Sequence, residues 1–278
     1  MDSPKIIHYC WFGHGELSAS AKRAIASWRR YAPGFEIRRC DEDTFDVASC
    51  KWAQDAYAAQ KYAFVSDYAR FRMLYEHGGV YMDLGSRLVR DIGGLVDERT
   101  PFSAIERMSM TVNSGLVISV RAGDPLVEAV MRRYERMNFE DSRDFMLKHT
   151  VNEILTDELE KLGFIREDRP QKVREWTILP SSAFNPVYGF GGFHIRSDTY
   201  STHQYSGSWC EPQFQVKKRV IRAITPFVGQ RAAQVIGRVI GEVKVRGFRS
   251  GLQNSVDVVK KRIKRSPVAK TKGEGGAR

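Results

Sequence analysis

Asp67 and Arg70 stand three residues apart in the run VSDYARFRMLYEHGGVYMDLGSRLVRD, residues 65–91. On a helix that spacing places a carboxylate and a guanidinium on one face. Asp83 closes the same run just past Val80–Met82, a short apolar stretch that reads as a strand. In α/β sheets, ligand sites gather outside the carboxyl ends of the strands, which is where such an aspartate would lie. On these residues alone two readings stay open. One is an intrahelical ion pair beside a turn aspartate, and the other is a cluster of charged groups presented to a ligand.

The elements that must position this cluster follow from periodicity and punctuation. Ile6 to Phe12 predicts a buried strand between Pro4 and Gly13, and Ser18 to Tyr31 a helix stopped by Pro33-Gly34. Phe35 to Arg39 predicts a second strand, and Thr44 to His77 a long helical stretch ending at the Gly78-Gly79 signal. Val80–Met82, Arg87–Arg90, Phe102–Ile105 and Leu116–Val120 read as further strands, Pro125–Met137 and Val151–Leu162 as further helices. Short apolar strands alternating with helices predict an α/β sandwich with a mostly parallel sheet. Trp28, Trp52 and Trp176 read as ordinary core, and His8 as a core or strand-end histidine.

Charge divides the chain. Residues 211–278 carry 17 Lys/Arg and 4 Asp/Glu out of totals of 44 and 33, which leaves 27 and 29 for residues 1–210. A near-neutral body therefore carries a strongly basic end. Cys10, Cys40, Cys50 and Cys210 form no CxxC pair, and no histidine stands at zinc-finger spacing, so the simplest expectation is a reduced, cytoplasmic setting. The apolar start of about seven residues is too short for a signal-peptide core. No window of 18 apolar residues occurs to span a bilayer.

Three motifs taken together, PKIIHYCWFG (4–13), SDYARFRMLYEHGGVYMD (66–83) and HQYSGSW (203–209), resemble the family 32 glycosyltransferases, sugar transferases of capsular-polysaccharide synthesis related to the glucosylating clostridial toxins. The resemblance covers roughly residues 3 to 210. It implies a GT-A, Rossmann-like α/β domain that binds a nucleotide-sugar donor and a divalent metal, Mn²⁺ or Mg²⁺, and transfers the sugar with retention. It further implies that Trp11 stacks on the base and that Asp67 and Arg70 hold the donor sugar, with Tyr81 beside them. Asp83 would be the first acid of the DxD motif, Asn113 and Ser114 a turn near the sugars, and His203 a metal ligand, with Ser208 and Trp209 closing over the diphosphate.

One position departs from that pattern: the motif reads Asp83-Leu84-Gly85, and Gly85 has no side chain to coordinate with. Three explanations stay open. Asp83 and His203 bind the metal with diphosphate and water, a nearby acid such as Asp91 or Glu106 substitutes, or the protein works poorly or without metal. A catalytically silent GT-A-like scaffold is the rival to a transferase.

From Lys217 onward, apolar residues at Val220, Ile221, Ile224, Phe227, Val228, Val235, Ile236, Val239, Ile240 and Val243 alternate with Lys and Arg. This is the pattern of basic amphipathic helices, which gain on an anionic membrane from both apolar burial and charge. The expected organisation is a transferase domain over 1–212, a basic helical extension over 213–265 and a disordered end over 266–278. The expected partners are a nucleotide-sugar donor, a surface-polysaccharide or lipid-linked glycan acceptor and an anionic membrane surface on the cytoplasmic side. No nucleic acid is expected, since the basic end lacks base-reading aromatics.

Overall fold

A computed structural model describes residues 4–186 and 195–204, together with 220, 221, 223, 224, 235–237, 239–241, 243, 244, 247, 248 and 250. Ser208, Trp209 and the 266–278 end lie outside the described residues. Contacts divide the chain into two units, residues 1–187 with 193–205 and residues 188–192 with 206–278.

The first unit opens with β1 (Ile6–Cys10), α1 (Ala19–Tyr31) and β2 (Glu36–Cys40). Ser18 caps α1 by accepting from the Ala21 N–H, as serine does at helix starts. The 44–77 stretch, expected as one helical run, is instead a short 3-10 turn (Val47–Ser49), α2 (Lys51–Ala58) and α3 (Tyr62–His77). Gln60 takes a left-handed conformation (φ 58°) and turns the chain back. The reversal lets Trp52 of α2 bury itself completely while its indole N–H donates to the Phe64 carbonyl of α3 at 3.0 Å. One straight helix could not fold its own tryptophan against itself.

The chain continues through β3 (Gly79–Tyr81), β4 (Ser86–Leu88), α4 (Gly93–Arg99), β5 (Phe102–Glu106), β6 (Thr111–Val112) and β7 (Ile118–Val120). It then passes α5 (Pro125–Glu135), α6 (Arg143–Lys148), α7 (Val151–Glu160), β8 (Gln171–Val173), β9 (Trp176–Leu179), α8 (Ser181–Phe184) and β10 (Ser201–His203). The main sheet has the order β2-β1-β3-β7-β5-β9-β8, with β6 paired to β5. β1 is parallel to β2 and β3, and β5 to β9, while β7 is antiparallel to both its neighbours and β8 to β9. Strand direction is thus shared by β2, β1, β3, β5 and β9 and reversed in β7 and β8, a mixed and mostly parallel sheet. β10 and β4 form a separate antiparallel pair.

Side-chain alternation along the strands feeds two cores. Ile7 and Tyr9 point to the side packed by Trp28, Leu95, Val96 and Phe184, and Cys10 to the side packed by Trp52, Phe71, Val130 and Leu155. The sheet is therefore covered by helices on both faces. The β1–β2 register sets Cys10 opposite Cys40, a pairing invisible in their spacing, and both are buried. The Cys40 thiol is pushed well up by its hydrogen bond with Cys10 and by burial, which suits inert, reduced thiols.

In the second unit, the described residues at 220, 221, 223, 224, 235–237, 239–241, 243, 244, 248 and 250 are helical. Val235, Ile236, Ile240 and Phe248 are exposed. Among the described residues no helix is long and apolar enough to cross a membrane.

Candidate functional site

α3 is buried around most of its circumference, with Phe64, Val65, Tyr68, Phe71 and Leu74 in the core. Two charged residues share that burial: Asp67 is 7% exposed and Arg70 4%. Buried charge is costly unless it is paired and hydrogen-bonded, and here every edge of the guanidinium is used. Arg70 Nη2 donates to Asp67 Oδ1 at 2.8 Å, Nε to the Ser66 carbonyl at 3.1 Å and Nη1 to Ser114 Oγ at 3.2 Å. Nη1 also lies 3.6 Å from Asp83 Oδ1, and the guanidinium carbon sits 4.7 Å from the centre of the Tyr81 ring.

Asp83 follows β3, its N–H bonded to the Gly115 carbonyl at 2.9 Å, and its Oδ1 accepts from the Tyr81 hydroxyl at 2.9 Å. Its side chain is 38% exposed, so it is the member of the cluster that offers its carboxylate to solvent. The sequence therefore brings Asp67, Arg70, Tyr81 and Asp83 together, and the first two form the floor beneath the last.

One cation is shared by two carboxylates, and the buried one bears the cost. Burial, with a smaller contribution from the Asp83 charge, pushes Asp67 up to about 7 against the pull of Arg70. Burial works against the charge on Arg70, yet Tyr81, Asp83 and Asp67 outweigh it and hold the guanidinium protonated. Burial likewise pushes the Tyr81 phenol well up, so it stays a hydrogen-bond donor to Asp83.

The wall opposite α3 is the turn Asn113–Gly115. Asn113 Oδ1 accepts from the N–H groups of Gly115 at 2.8 Å and Leu116 at 3.3 Å, while Nδ2 donates to Glu106 Oε2 at 3.2 Å. Expected to meet sugar, Asn113 has its carboxamide committed to shaping the turn. A Cβ on Gly115 would collide with the Asp83 carboxylate, so only glycine lets that carboxylate lie here.

Trp11 lies just past β1, half-buried, its indole N–H tied to the Gly15 carbonyl at 2.6 Å. The loop after it is held by Glu42, whose Oε1 accepts from the Gly13 N–H at 2.6 Å and the Tyr57 hydroxyl at 3.0 Å. His8 is fully buried and bonds the Gly78 carbonyl at 2.9 Å; burial lowers it to about 4, so it is a neutral core residue.

Gly85 and His203 meet directly. β10 pairs with β4 so that His203 stands opposite Ser86, and the Gln204 N–H bonds the Gly85 carbonyl at 2.9 Å. A Cβ on Gly85 would lie 2.7 Å from His203 Nε2 and 3.0 Å from the Gln204 carbonyl oxygen. The imidazole thus fills the space that a second acid at position 85 would need. Asp91, one proposed substitute, is exposed and accepts from the Gly93 N–H at 2.5 Å, and Glu106 is engaged by Asn113. Among the described residues no group of three or more His, Cys, Asp or Glu converges. Asp83, two residues before Gly85, and His203, packed against it, offer one oxygen and one nitrogen of the types a divalent cation accepts, with no third protein ligand among the described residues.

Residues 18–103 match a glycosyltransferase sugar-binding region containing the DXD motif. This sugar-binding region runs from the cap of α1 into β5 and contains Asp67, Arg70, Tyr81 and Asp83. A region of this kind generally implies a divalent metal. No match was found among curated protein sequences. Among solved structures, the chain is similar to the PaToxG glycosyltransferase at 16% identity and a TM-score of 0.44, over 58% of this chain and 69% of that one. It is also similar to a glycosyltransferase involved in glycosylation of the major capsid of PBCV-1, at 12% identity and a TM-score of 0.39, over 72% and 93%. Those likenesses are loose, and the site rests on its own geometry and the matched region.

Ser114, expected in a turn near the sugars, and Glu106, expected as a substitute acid, lie at the site, and Gly115 and Glu42 join them without any spacing signal linking them to Asp83. The nearest sequence clue was the Asn113-Ser114-Gly115 turn.

Proposed function

We propose that this chain is a retaining glycosyltransferase of the family 32 type, moving a sugar from a nucleotide-sugar to a surface-polysaccharide or lipid-linked glycan. The observation that carries this reading is the buried Arg70 guanidinium, shared by Asp67, Ser114, Tyr81 and the exposed Asp83 at the carboxyl end of β3, inside the matched sugar-binding region. Asp83 meets the donor, Asp67 accepts from sugar hydroxyls at the floor, and the flat face of Trp11 takes the base.

Transfer breaks the bond from the anomeric carbon to the phosphate oxygen. The diphosphate leaves with the electron pair, and the acceptor oxygen bonds the same carbon on the same face, giving its proton to the departing phosphate. Negative charge grows on the diphosphate as this happens, and Arg70, locked and permanently charged, is preorganised to stabilise it. Mn²⁺ or Mg²⁺ held by Asp83 and His203 would add Lewis-acid neutralisation of the same charge. The basic end, with exposed Val235, Ile236, Ile240 and Phe248, would hold the enzyme peripherally on the cytoplasmic face of an anionic membrane, where a lipid-linked acceptor lies.

The test is a thermal-shift panel of nucleotide-sugars on the full chain, with Mn²⁺ and with chelator, followed by donor hydrolysis. At least one donor should raise Tm, and Asp83→Ala should abolish that shift and the hydrolysis. If no nucleotide-sugar stabilises the wild type, or Asp83→Ala behaves like it, the transferase reading fails.

A further inference from the structure

Two successive residues of the loop after β1 stand in the left-handed region, Gly13 (φ 93°) and His14 (φ 54°). They reverse the chain, and the Gly15 carbonyl returns to the indole N–H of Trp11 at 2.6 Å. For a histidine that backbone conformation costs free energy and persists only where its surroundings impose it. The loop also lies at the right edge of the sheet. His8 stands opposite Tyr81 and the Met82 N–H extends that ladder onto the His8 carbonyl at 3.2 Å, so Trp11, three residues past His8, leaves the sheet on the same side as Asp83.

Glu42, in the turn after β2, is what imposes the loop. That turn is itself closed, with the Asp41 N–H donating to Thr44 Oγ1 at 3.0 Å and the Phe45 N–H to the Asp41 carbonyl at 2.9 Å. From it, Glu42 Oε1 accepts from the Gly13 N–H at 2.6 Å and the Tyr57 hydroxyl at 3.0 Å, and lies 3.9 Å from His14 Nε2. The Tyr62 ring leaves no room for a Cβ on Gly13 and packs edge-to-face on Tyr57 at 5.4 Å. Burial pushes the Glu42 carboxyl up, yet the bonds from Gly13 and Tyr57 outweigh it and keep the group ionised. Its side chain is only 13% exposed, and its Oε2 is buried with no hydrogen bond from the described residues. A half-satisfied, nearly buried carboxylate is a poor device for stability alone, whereas a charge-assisted bond to one backbone N–H is a strong device for holding a loop.

We propose that Glu42 is a positioning residue for the nucleotide: it clamps the Gly13–Gly15 turn and, through the Gly15 carbonyl, fixes the plane of the Trp11 indole on which the base stacks. This rests on the sugar-transfer reading, and it assigns a role in donor binding to a side chain that touches neither sugar nor diphosphate. Without the clamp, His14 relaxes out of the left-handed region and the Gly15 carbonyl leaves the indole N–H. The indole then has to be ordered at each binding event, and affinity for the base falls.

Titration calorimetry of the full chain with UDP, GDP, CDP and ADP in the presence of Mn²⁺, beside inorganic pyrophosphate, tests the clamp. At least one nucleoside diphosphate should bind, and Trp11→Ala should weaken it about tenfold, the share of one stacked base. Glu42→Ala should cost a similar factor, whereas Glu42→Gln, whose amide oxygen still accepts from Gly13 and Tyr57, should stay within about threefold of the wild type. The double variant Trp11→Ala, Glu42→Ala should lose about tenfold rather than about a hundredfold, because both changes remove the same shelf. Pyrophosphate has no base and should not distinguish Glu42→Ala from the wild type, while a merely structural role would weaken both ligands alike. Unchanged nucleotide affinity in either single variant, an additive double variant, or a parallel loss of pyrophosphate overturns the proposal and leaves sugar transfer standing. If no nucleoside diphosphate binds the wild type, the transferase reading fails and the clamp falls with it.

Discussion

Arg70 and Arg166 make the same chemical bond in opposite surroundings. Arg166 ties Glu153 at 2.8 Å and Glu160 at 2.6 Å, with Asp157 at 3.5 Å, and its side chain remains a third exposed. Arg70 ties Asp67 at 2.8 Å with a side chain only 5% exposed, on a helix packed nearly all round. Water and salt screen the first network, whose pairs are each worth about 0.2–1 kcal/mol. Nothing screens the second, so removing one partner strands a buried charge at about 3–5 kcal/mol. A surface network of this kind joins α7 to the 161–169 loop at little cost or gain. The buried one is tolerated because Asp67, Ser114 and the Ser66 carbonyl satisfy the guanidinium, which lies 3.6 Å from Asp83 at the mouth of the sheet.

The strongest way to break the comparison is Arg70→Met. It should lower the urea-unfolding free energy by about 3–5 kcal/mol and donor hydrolysis by about a thousandfold. A loss under about 1 kcal/mol would place Arg70 with the surface arginines.

Asp67→Asn sharpens it through pH. Asp67, raised to about 7, binds a proton more tightly folded than unfolded, so its stabilising contribution is full below about 4 and fades as pH rises through 7. His8, lowered to about 4, acts in the opposite sense: its contribution is present above about 6.5 and is lost as pH falls toward 4. The two offset each other between pH 4 and 6.5. Asp67→Asn should expose the His8 slope, a loss on acidification on the order of 3 kcal/mol. His8→Gln should leave stability falling as pH rises. Unfolding curves across that range decide, and unchanged slopes in both variants would refute the burial argument.

Gly115→Ala drives a methyl into the Asp83 carboxylate and should cost about 1–3 kcal/mol and most of the donor-induced thermal shift. Gly34→Ala, where nothing lies within 4 Å, should change neither. The smallest effect belongs to Arg166→Ala, under about 1 kcal/mol and smaller still in high salt. A larger loss there would erase the distinction between the two arginines.

Much of the frame could be read from the residues. α1, α5 and α7 appeared within two residues of their ends because apolar spacing, the Ser18, Asp124 and Thr150 caps and their stops agree. α4, α6, α8, β6, β8, β9 and β10 did not: none exceeds seven residues, and at that length an element carries little periodicity and stands out only where neighbouring punctuation marks it, as Gly78-Gly79 marks β3. The α2–α3 break was hidden because helix-forming residues run through it, and it is Trp52 seeking burial against α3 that turns the chain at Gln60. Spacing put Asp67 and Arg70 on one helix face and Asp83 at a strand end but left their role open; the family resemblance set Tyr81 beside them, and the structure brings all four together.

The sequence by itself determined the alternation of strands and helices, the separation of a near-neutral body from a basic end, and the local pairing of Asp67 with Arg70. All of these depend on residue type and short-range spacing. Only the tertiary structure decided that Cys10 faces Cys40, that His203 occupies the space beside Gly85, that Asn113 shapes a turn, and that Glu106 joins Asn152 next to the site. Apart from the Asn113 turn, those contacts join residues 30 to 118 positions apart, and strand register and helix packing, which no local pattern encodes, bring them together.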